Sequence, residues 1–350
     1  MRWVLRLLTG LLAVLAVLVV AGPASAHVGG GAAGSDFDGR VTSVSPQLPG
    51  VIVRVLQFGD ELEVVNDTER ELTVPGYSDE PYLRIGPDGV WRNRNSPATY
   101  LNLDRLGLTP LPPSADPDAE PDWEQVSTEP SYVWHDHRTH WMSAGLPPQV
   151  QADPTVAHTI IDWTVPMGYD GRTVEVAGTL VWEPPPPGWA LWPAYALLVA
   201  AGALAGLRAR TARPLGALLL VGAAAAVVHA ATTPEPAASL SSHAGALVSA
   251  LVPALLVAVV AALAWWAALR GRGAMTGLLA VVVGWLLLVQ GLPDVDVLWT
   301  ANVLSIGPAT VARAAVALLI GLGLGVVVGG VAAVRRFRER ATPQREPAPV

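Results

Sequence analysis

The stretch Ser131–Met142, SYVWHDHRTHWM, sets His135, His137 and His140 beside Asp136, Arg138 and two tryptophans. Imidazole nitrogens this close together suit copper(II) or zinc. If residues 131–137 are a strand, His135 and His137 project to one face with Cα atoms roughly 6.6 Å apart, near enough to share an ion. His140 then lies past the strand end and folds back as a third nitrogen ligand, with Asp136, Met142 or His158 in reserve. A structural reading stands beside this one. Trp134 and Trp141 bury their rings, Asp136 pairs with Arg138, and the histidines hydrogen-bond to acids or backbone. The chain has no cysteine, so blue-copper, iron–sulfur and thiolate-zinc centres are excluded.

Positioning these residues requires knowing which side of a membrane they occupy. Arg2 and Arg6 precede the apolar run Leu7 to Val20, which closes on the small-residue site Ala24 to Ala26, so residues 1–26 are expected to be a secretory signal peptide. The mature chain would then begin at His27, whose α-amine and ring together make a second metal-chelating group. Hydrophobic residues make up 51% of the chain and charged residues 15%, and the apolar excess lies after residue 187. Five runs, at about 189–207, 214–232, 244–269, 275–292 and 310–334, each approach the roughly 20 residues that span a bilayer. Arg208, Arg210 and Arg213, then Arg270 and Arg272, then Arg335, Arg336, Arg338 and Arg340 follow alternate runs. Positive residues favour the cytoplasmic side, so residues 27–188 are expected to be extracytoplasmic and the basic tail 335–350 cytoplasmic, in a multi-pass plasma-membrane protein. Arg313 alone falls near the outer face, where Asp294 or Asp296 is the expected partner. Trp182, Trp189, Trp192 and Trp299 are expected at the outer boundary as an aromatic belt.

Residues 27–187 hold 24 acidic residues against 9 arginines, a formal charge near −15. Such a field attracts cations and repels nucleic acid. Short alternating or β-branched runs recur between turn signals such as GD, GPDG and GYDG, with no amphipathic helix. They predict an all-β sandwich of two antiparallel sheets over 27–183, immunoglobulin- or cupredoxin-like. Residues 103–130 read as an irregular, acidic, Pro-rich loop. Its alternating Asp116, Asp118, Glu120, Asp122 and Glu124 lack the glycine of a calcium-binding EF-hand loop. The four prolines in 184–188 predict a stiff stalk of about 12 Å that keeps the domain close to the bilayer. An all-α domain of five spans follows.

Inside the spans polar groups are rare. His229, His243, Gln290, Asp294 and Asp296 are expected near the outer face, as a polar patch able to admit copper or a proton, or as interfacial groups reaching water. Gly321, Gly325 and Gly329, like Gly202 and Gly206, recur at four-residue spacing and predict close helix packing.

Three resemblances bear on activity. HDHRTH is similar to the HxHxDH zinc motif of metallo-β-lactamases, but Thr139 stands where that motif has aspartate, and the helices of that fold are missing from residues 27–187. An expected N-terminal His27 and a secreted β domain followed by membrane spans resemble copper-handling proteins of the CopC and CopD type, which implies copper as the ligand and a copper-handling envelope protein as partner. Five spans replace the eight typical of CopD. LEVVNDTERELTVPGY is similar to cupredoxin strands without their copper ligands, and the whole chain resembles actinobacterial membrane proteins with a secreted β domain. No nucleophile, phosphate loop or paired carboxylates point to an enzyme. Two functions are therefore expected: an envelope protein that binds or relays copper or zinc, or a membrane-anchored interaction module without metal or catalysis.

Overall fold

The computed structural model describes residues 34–238 and 242–339. The expected signal peptide and His27 lie outside the described residues.

The first half is β-rich. Its strands are β1 Gly34–Ser35, β2 Phe37–Ser45, β3 Val51–Leu56, β4 Glu61–Asn66, β5 Leu72–Pro75, β6 Pro81–Gly86, β7 Gly89–Asn93, β8 Trp123–Ser127, β9 Ser131–His135, β10 His158–Tyr169 and β11 Arg172–Trp182. One antiparallel sheet runs β2-β11-β10-β5-β6-β7-β8 and a second β3-β4-β9. Period-two patterning decides which face is buried. In β11, Val174, Val176, Leu180 and Trp182 are buried, while Thr173 and Glu175 face out. Leu62 and Val64 of β4 and Trp134 of β9 meet Leu83, Trp163 and Val174 of the larger sheet in one apolar core. Asp170 and Gly171 both take positive φ, 50° and 72°, as a two-residue hairpin turn requires. At Gly178 a Cβ would overlap the Trp163 ring on the neighbouring strand, so glycine makes room for that indole.

Two expectations are corrected here. The segment 103–130 contains a strand, β8, which forms the edge of the larger sheet; Arg92 and Arg94 pair with Glu124 and Asp122 across it. Its acids are therefore partly spent on cross-strand ion pairs. The second correction concerns β9, which ends at His135, so strand alternation does not carry His137 onto the same face.

Two short helices, α1 Ala98–Leu101 and α2 Pro148–Ala152, interrupt the β-rich part. The five long ones are α3 Gly188–Leu207, α4 Arg213–Ala231, α5 His243–Leu269, α6 Gly273–Gly291 and α7 Ala309–Glu339. All five are long and apolar enough to cross a membrane, and they begin and end within about two residues of the apolar runs, except that α7 continues to Glu339. The α7 helix packs against α3, α4 and α6. At its contact with α3, a Cβ on Gly202, Gly206, Gly325 or Gly329 would drive into the facing helix, mostly its backbone, so small residues set the approach. Arg336 donates to the Ala209 carbonyl, at the end of the bundle away from the sheets. At the sheet end Trp192 stacks on Trp299, with ring centroids 6.3 Å apart. Trp182, at the end of β11, is buried instead, 3% exposed, with its ring centroid 6.3 Å from that of His158.

The two parts are clamped at two places. At the first, β1 pairs antiparallel with β12 (Asn302–Val303), Gly34 N–H donates to Asp296 Oδ2 (3.1 Å), and Ala301 N–H donates to Asp36 Oδ1 (2.9 Å). At the second, the buried Glu63 accepts from Arg54 Nε (2.6 Å) and from Ala238 N–H (2.6 Å) in the α4–α5 connection, where Arg54 also meets Glu235 (3.1 Å). Among the described residues, the proline segment ahead of Gly188 is thus joined by two further links between the parts.

Candidate functional site

Beyond β9 the chain folds into a tight corner built on Asp136. This carboxylate is buried and accepts from Trp134 Nε1 (2.9 Å) and, in a two-pronged bond, from Arg138 Nε (2.8 Å) and Nη2 (2.7 Å). Paired donors in this geometry are among the strongest charge-assisted bonds. Burial alone would raise the Asp136 carboxyl, but the bonds from Arg138 and Trp134 outweigh it and hold it below the usual range. The Arg138 guanidinium also lies over the Tyr77 ring, 5.2 Å from its centroid. Burial pushes the Tyr77 hydroxyl well above its ordinary value, so it stays protonated and donates to Asn102 while accepting from His137 N–H (3.0 Å). Thr139 donates to the Gly59 carbonyl (2.6 Å). The position at which the zinc motif has aspartate is thus used here to tie two loops together.

Facing this corner is the loop from Asp104 to Thr109. The Asp104 carboxylate accepts from the Thr109 hydroxyl (2.7 Å) and from the N–H groups of Leu106, Leu108 and Thr109 (2.9, 3.1 and 2.8 Å). Those bonds, led by the Thr109 hydroxyl, hold its carboxyl well below the usual range. The loop so shaped presents two carbonyls to the histidines. His137 Nε2 donates to Asp104 O (3.0 Å) and His140 Nε2 to Arg105 O (2.8 Å), and the two rings stand edge to face with centroids 5.5 Å apart. Burial pushes the His140 imidazole below its usual 6.5, while the Arg105 carbonyl and the Asp60 charge pull it up.

The structure brings together only part of the expected ligand set. His137 and His140 are neighbours. His135 instead bonds through Nδ1 to the Asp60 carbonyl (3.1 Å), and His158 bonds to the Asp153 carbonyl (2.7 Å) near Trp182. Among the described residues no group of three His, Cys, Asp or Glu side chains is placed to hold a metal ion. The early end of β9 is the cause, because the chain beyond it carries His137 and His140 to the Asp104 loop while His135 stays on the strand beside the Asp60 carbonyl.

Beside the corner, at the seam with the bundle, lies a cleft of about 180 Å³ lined by Gly34, Phe58, Asp60, Arg105, His140 and Trp141 among others. Gln57 and Phe58 on its wall both sit at positive φ, 48° and 59°, a conformation that side chains other than glycine rarely hold without support. Asp60 and Arg105 pair across it at 2.6 Å.

Of the expected polar patch in the bundle, one contact forms. His229 Nε2 meets Asp294 Oδ2 at 2.9 Å, with both side chains largely buried. Gln290 bonds within its own helix to Leu286 O (3.1 Å), His243 opens α5 behind the Ser242 cap, and Asp296 is taken by Gly34. The expected pairing of Arg313 with Asp294 or Asp296 gives way to another. Its guanidinium donates to the carbonyls of Val297 (2.8 Å) and Thr300 (2.8 Å), closing the end of the 3₁₀ turn Leu292–Leu298. Unpaired carbonyls at a helix end draw a cation for the same reason a carboxylate does.

Set against protein-family models, curated proteins and solved structures, the chain matches none of them.

Proposed function

We propose that this is a non-catalytic, multi-pass protein of the cell membrane whose β-sandwich, immunoglobulin- or cupredoxin-like, is a fixed platform on the outer face of a five-helix domain and offers its acidic surface to an envelope partner. The observation that carries this reading is the double clamp, Asp36 and Gly34 on one side and Arg54–Glu63 on the other, joining strands to loops more than 170 residues away. A flexible display on a stalk needs neither clamp. The arginine-rich ends of the helices lie opposite the sheets, which supports an outer position for the sandwich. A charge near −15 over residues 27–187 favours a basic or cationic partner.

The chain has no cysteine, so paired labels can be introduced cleanly. Spin labels at Asp170→Cys, on the β10–β11 turn, and Thr211→Cys, at the far end of the bundle, should give one narrow distance distribution in lipid nanodiscs. Combining Asp36→Ala with Glu63→Ala should broaden it; a broad distribution in the unaltered chain would overturn the platform. Photo-crosslinking side chains at the exposed Ile52 and Val156 should capture a protein of defined mass in cells, and capture of lipid alone would count against a partner.

A further inference from the structure

The hydrogen bonds of His137 and His140 decide where their lone pairs are. A carbonyl oxygen only accepts, so both rings carry their proton on Nε2 and, when neutral, present a bare nitrogen at Nδ1. His140 Nδ1 is buried with no hydrogen-bond partner, and His140 itself is 1% exposed. Buried polar atoms without partners are uncommon and ask for an explanation. A ring whose far nitrogen donates to a backbone carbonyl is also the usual support of a metal-binding histidine. With a metal–nitrogen bond of about 2.0 Å, each ring centroid lies about 3.2 Å from the ion, and the 5.5 Å centroid separation allows a nitrogen–metal–nitrogen angle of about 120° where both Nδ1 atoms face the ion.

Gly107 points to a third ligand. It sits in left-handed backbone, φ 65°, and a Cβ there would stand 2.8 Å from His137 Cε1, 3.2 Å from His137 Nδ1 and 3.6 Å from the Met142 methyl carbon. The glycine therefore lets the loop backbone lie against the ring edge that carries this bare nitrogen, and the methyl group of the Met142 thioether borders the same edge.

We propose that His137 Nδ1, His140 Nδ1 and the Met142 sulfur form a three-coordinate site for copper(I). Thioether and imidazole donors with no thiolate and no carboxylate suit the soft monovalent ion better than zinc, and sulfur ligands select copper(I). His135 and His158 take no part, since they are tied to the Asp60 and Asp153 carbonyls in other places. The acidic domain concentrates cations around the site. The site does not depend on the platform, whose spin-label test involves none of these residues.

The test is a copper(I) titration of the full chain in detergent under anaerobic conditions, in competition with a chromophoric chelator. One copper(I) per chain is expected, with X-ray absorption showing two nitrogen scatterers and one sulfur. His137→Gln and His140→Gln retain a donor for the carbonyls but remove the imidazole, and each should weaken binding by about 100-fold or more; Met142→Leu should weaken it by about 10-fold and leave zinc affinity unchanged. His135→Gln and His158→Gln should bind as the unaltered chain does. Circular dichroism of each variant separates lost binding from lost folding. No stoichiometric copper(I) in the unaltered chain overturns the site, as does unchanged copper(I) affinity in Met142→Leu together with no sulfur scatterer.

Discussion

The bundle and the sandwich are both apolar inside, yet they are assembled on opposite principles. Between α3 and α7 the contact is backbone against backbone at Gly202, Gly206, Gly325 and Gly329. In the sandwich the core is filled by large side chains, Trp134, Trp163, Tyr82 and Leu83, with buried polar groups such as Glu63 and Asp136 held by specific partners. The difference follows from the solvent each part faces. Lipid gives helices no hydrophobic reason to associate, so close van der Waals approach must supply it. Water rewards every large apolar ring removed from it. A bundle built this way should be most sensitive to added atoms and a sandwich to removed ones.

The largest effect should therefore come from Gly206→Leu. Its side chain would run into the Gly329 carbonyl, and overpacking against backbone that cannot yield should cost about 3 kcal/mol or more. Resistance of the bundle to unfolding in mixed detergent is the readout, with the exposed Leu204→Ala as a control that should change little. Asp136→Ala should come next, with the loss confined to the sandwich. Removing the carboxylate leaves the Arg138 guanidinium largely buried without its partner, at a cost of about 3 kcal/mol, measured as a shift in the urea midpoint of the sandwich's tryptophan fluorescence. If Asp136→Ala is tolerated, the corner that carries His137 and His140 is not held as described.

Glu63→Ala addresses the boundary between the regions. It removes the acceptor for Ala238 N–H and the partner of Arg54, and should cost about 1–3 kcal/mol while opening the α4–α5 connection to protease. Asp36→Asn should have the smallest effect and tests the other clamp by its pH dependence. Burial raises the Asp36 carboxyl above its ordinary 3.8, against the pull of Ala301 N–H. The folded chain thus holds this proton more tightly than the unfolded one, so its contribution is full below pH 3.8 and is lost as pH rises through the raised value. Asparagine keeps an acceptor without the charge. The variant should match the unaltered chain within about 0.5 kcal/mol and show a flatter melting temperature between pH 4 and 7.

Much of this architecture was readable from one dimension. The five helices stand where apolar runs of membrane-spanning length are bounded at one end by arginine, because a span needs only length and polarity to be recognised. The Asp170–Gly171 hairpin followed from turn chemistry, which is local. Strand β8 was missed because WEQVS sits among prolines and acids and its case rests on partners in β7. The histidine cluster was misread in part for a similar reason. Its residues and spacing suggested three ligands, but the strand ends early and His135 stays on it beside the Asp60 carbonyl. The Asp104 loop, which orients His137 and His140, lies more than 30 residues before them and left no mark on the motif.

What the amino-acid order determined by itself was therefore whatever depends on neighbours along the chain: spans, alternation, turns and the exclusion of thiolate chemistry. Tertiary structure alone decided which histidines stand together, which nitrogen of each is bare, and that Asp36, Gly34 and Glu63 fasten the sandwich to the bundle. Local preferences act within a few residues, whereas a hydrogen bond between Asp36 and Ala301 exists only once the intervening chain has folded and brought them within 3 Å.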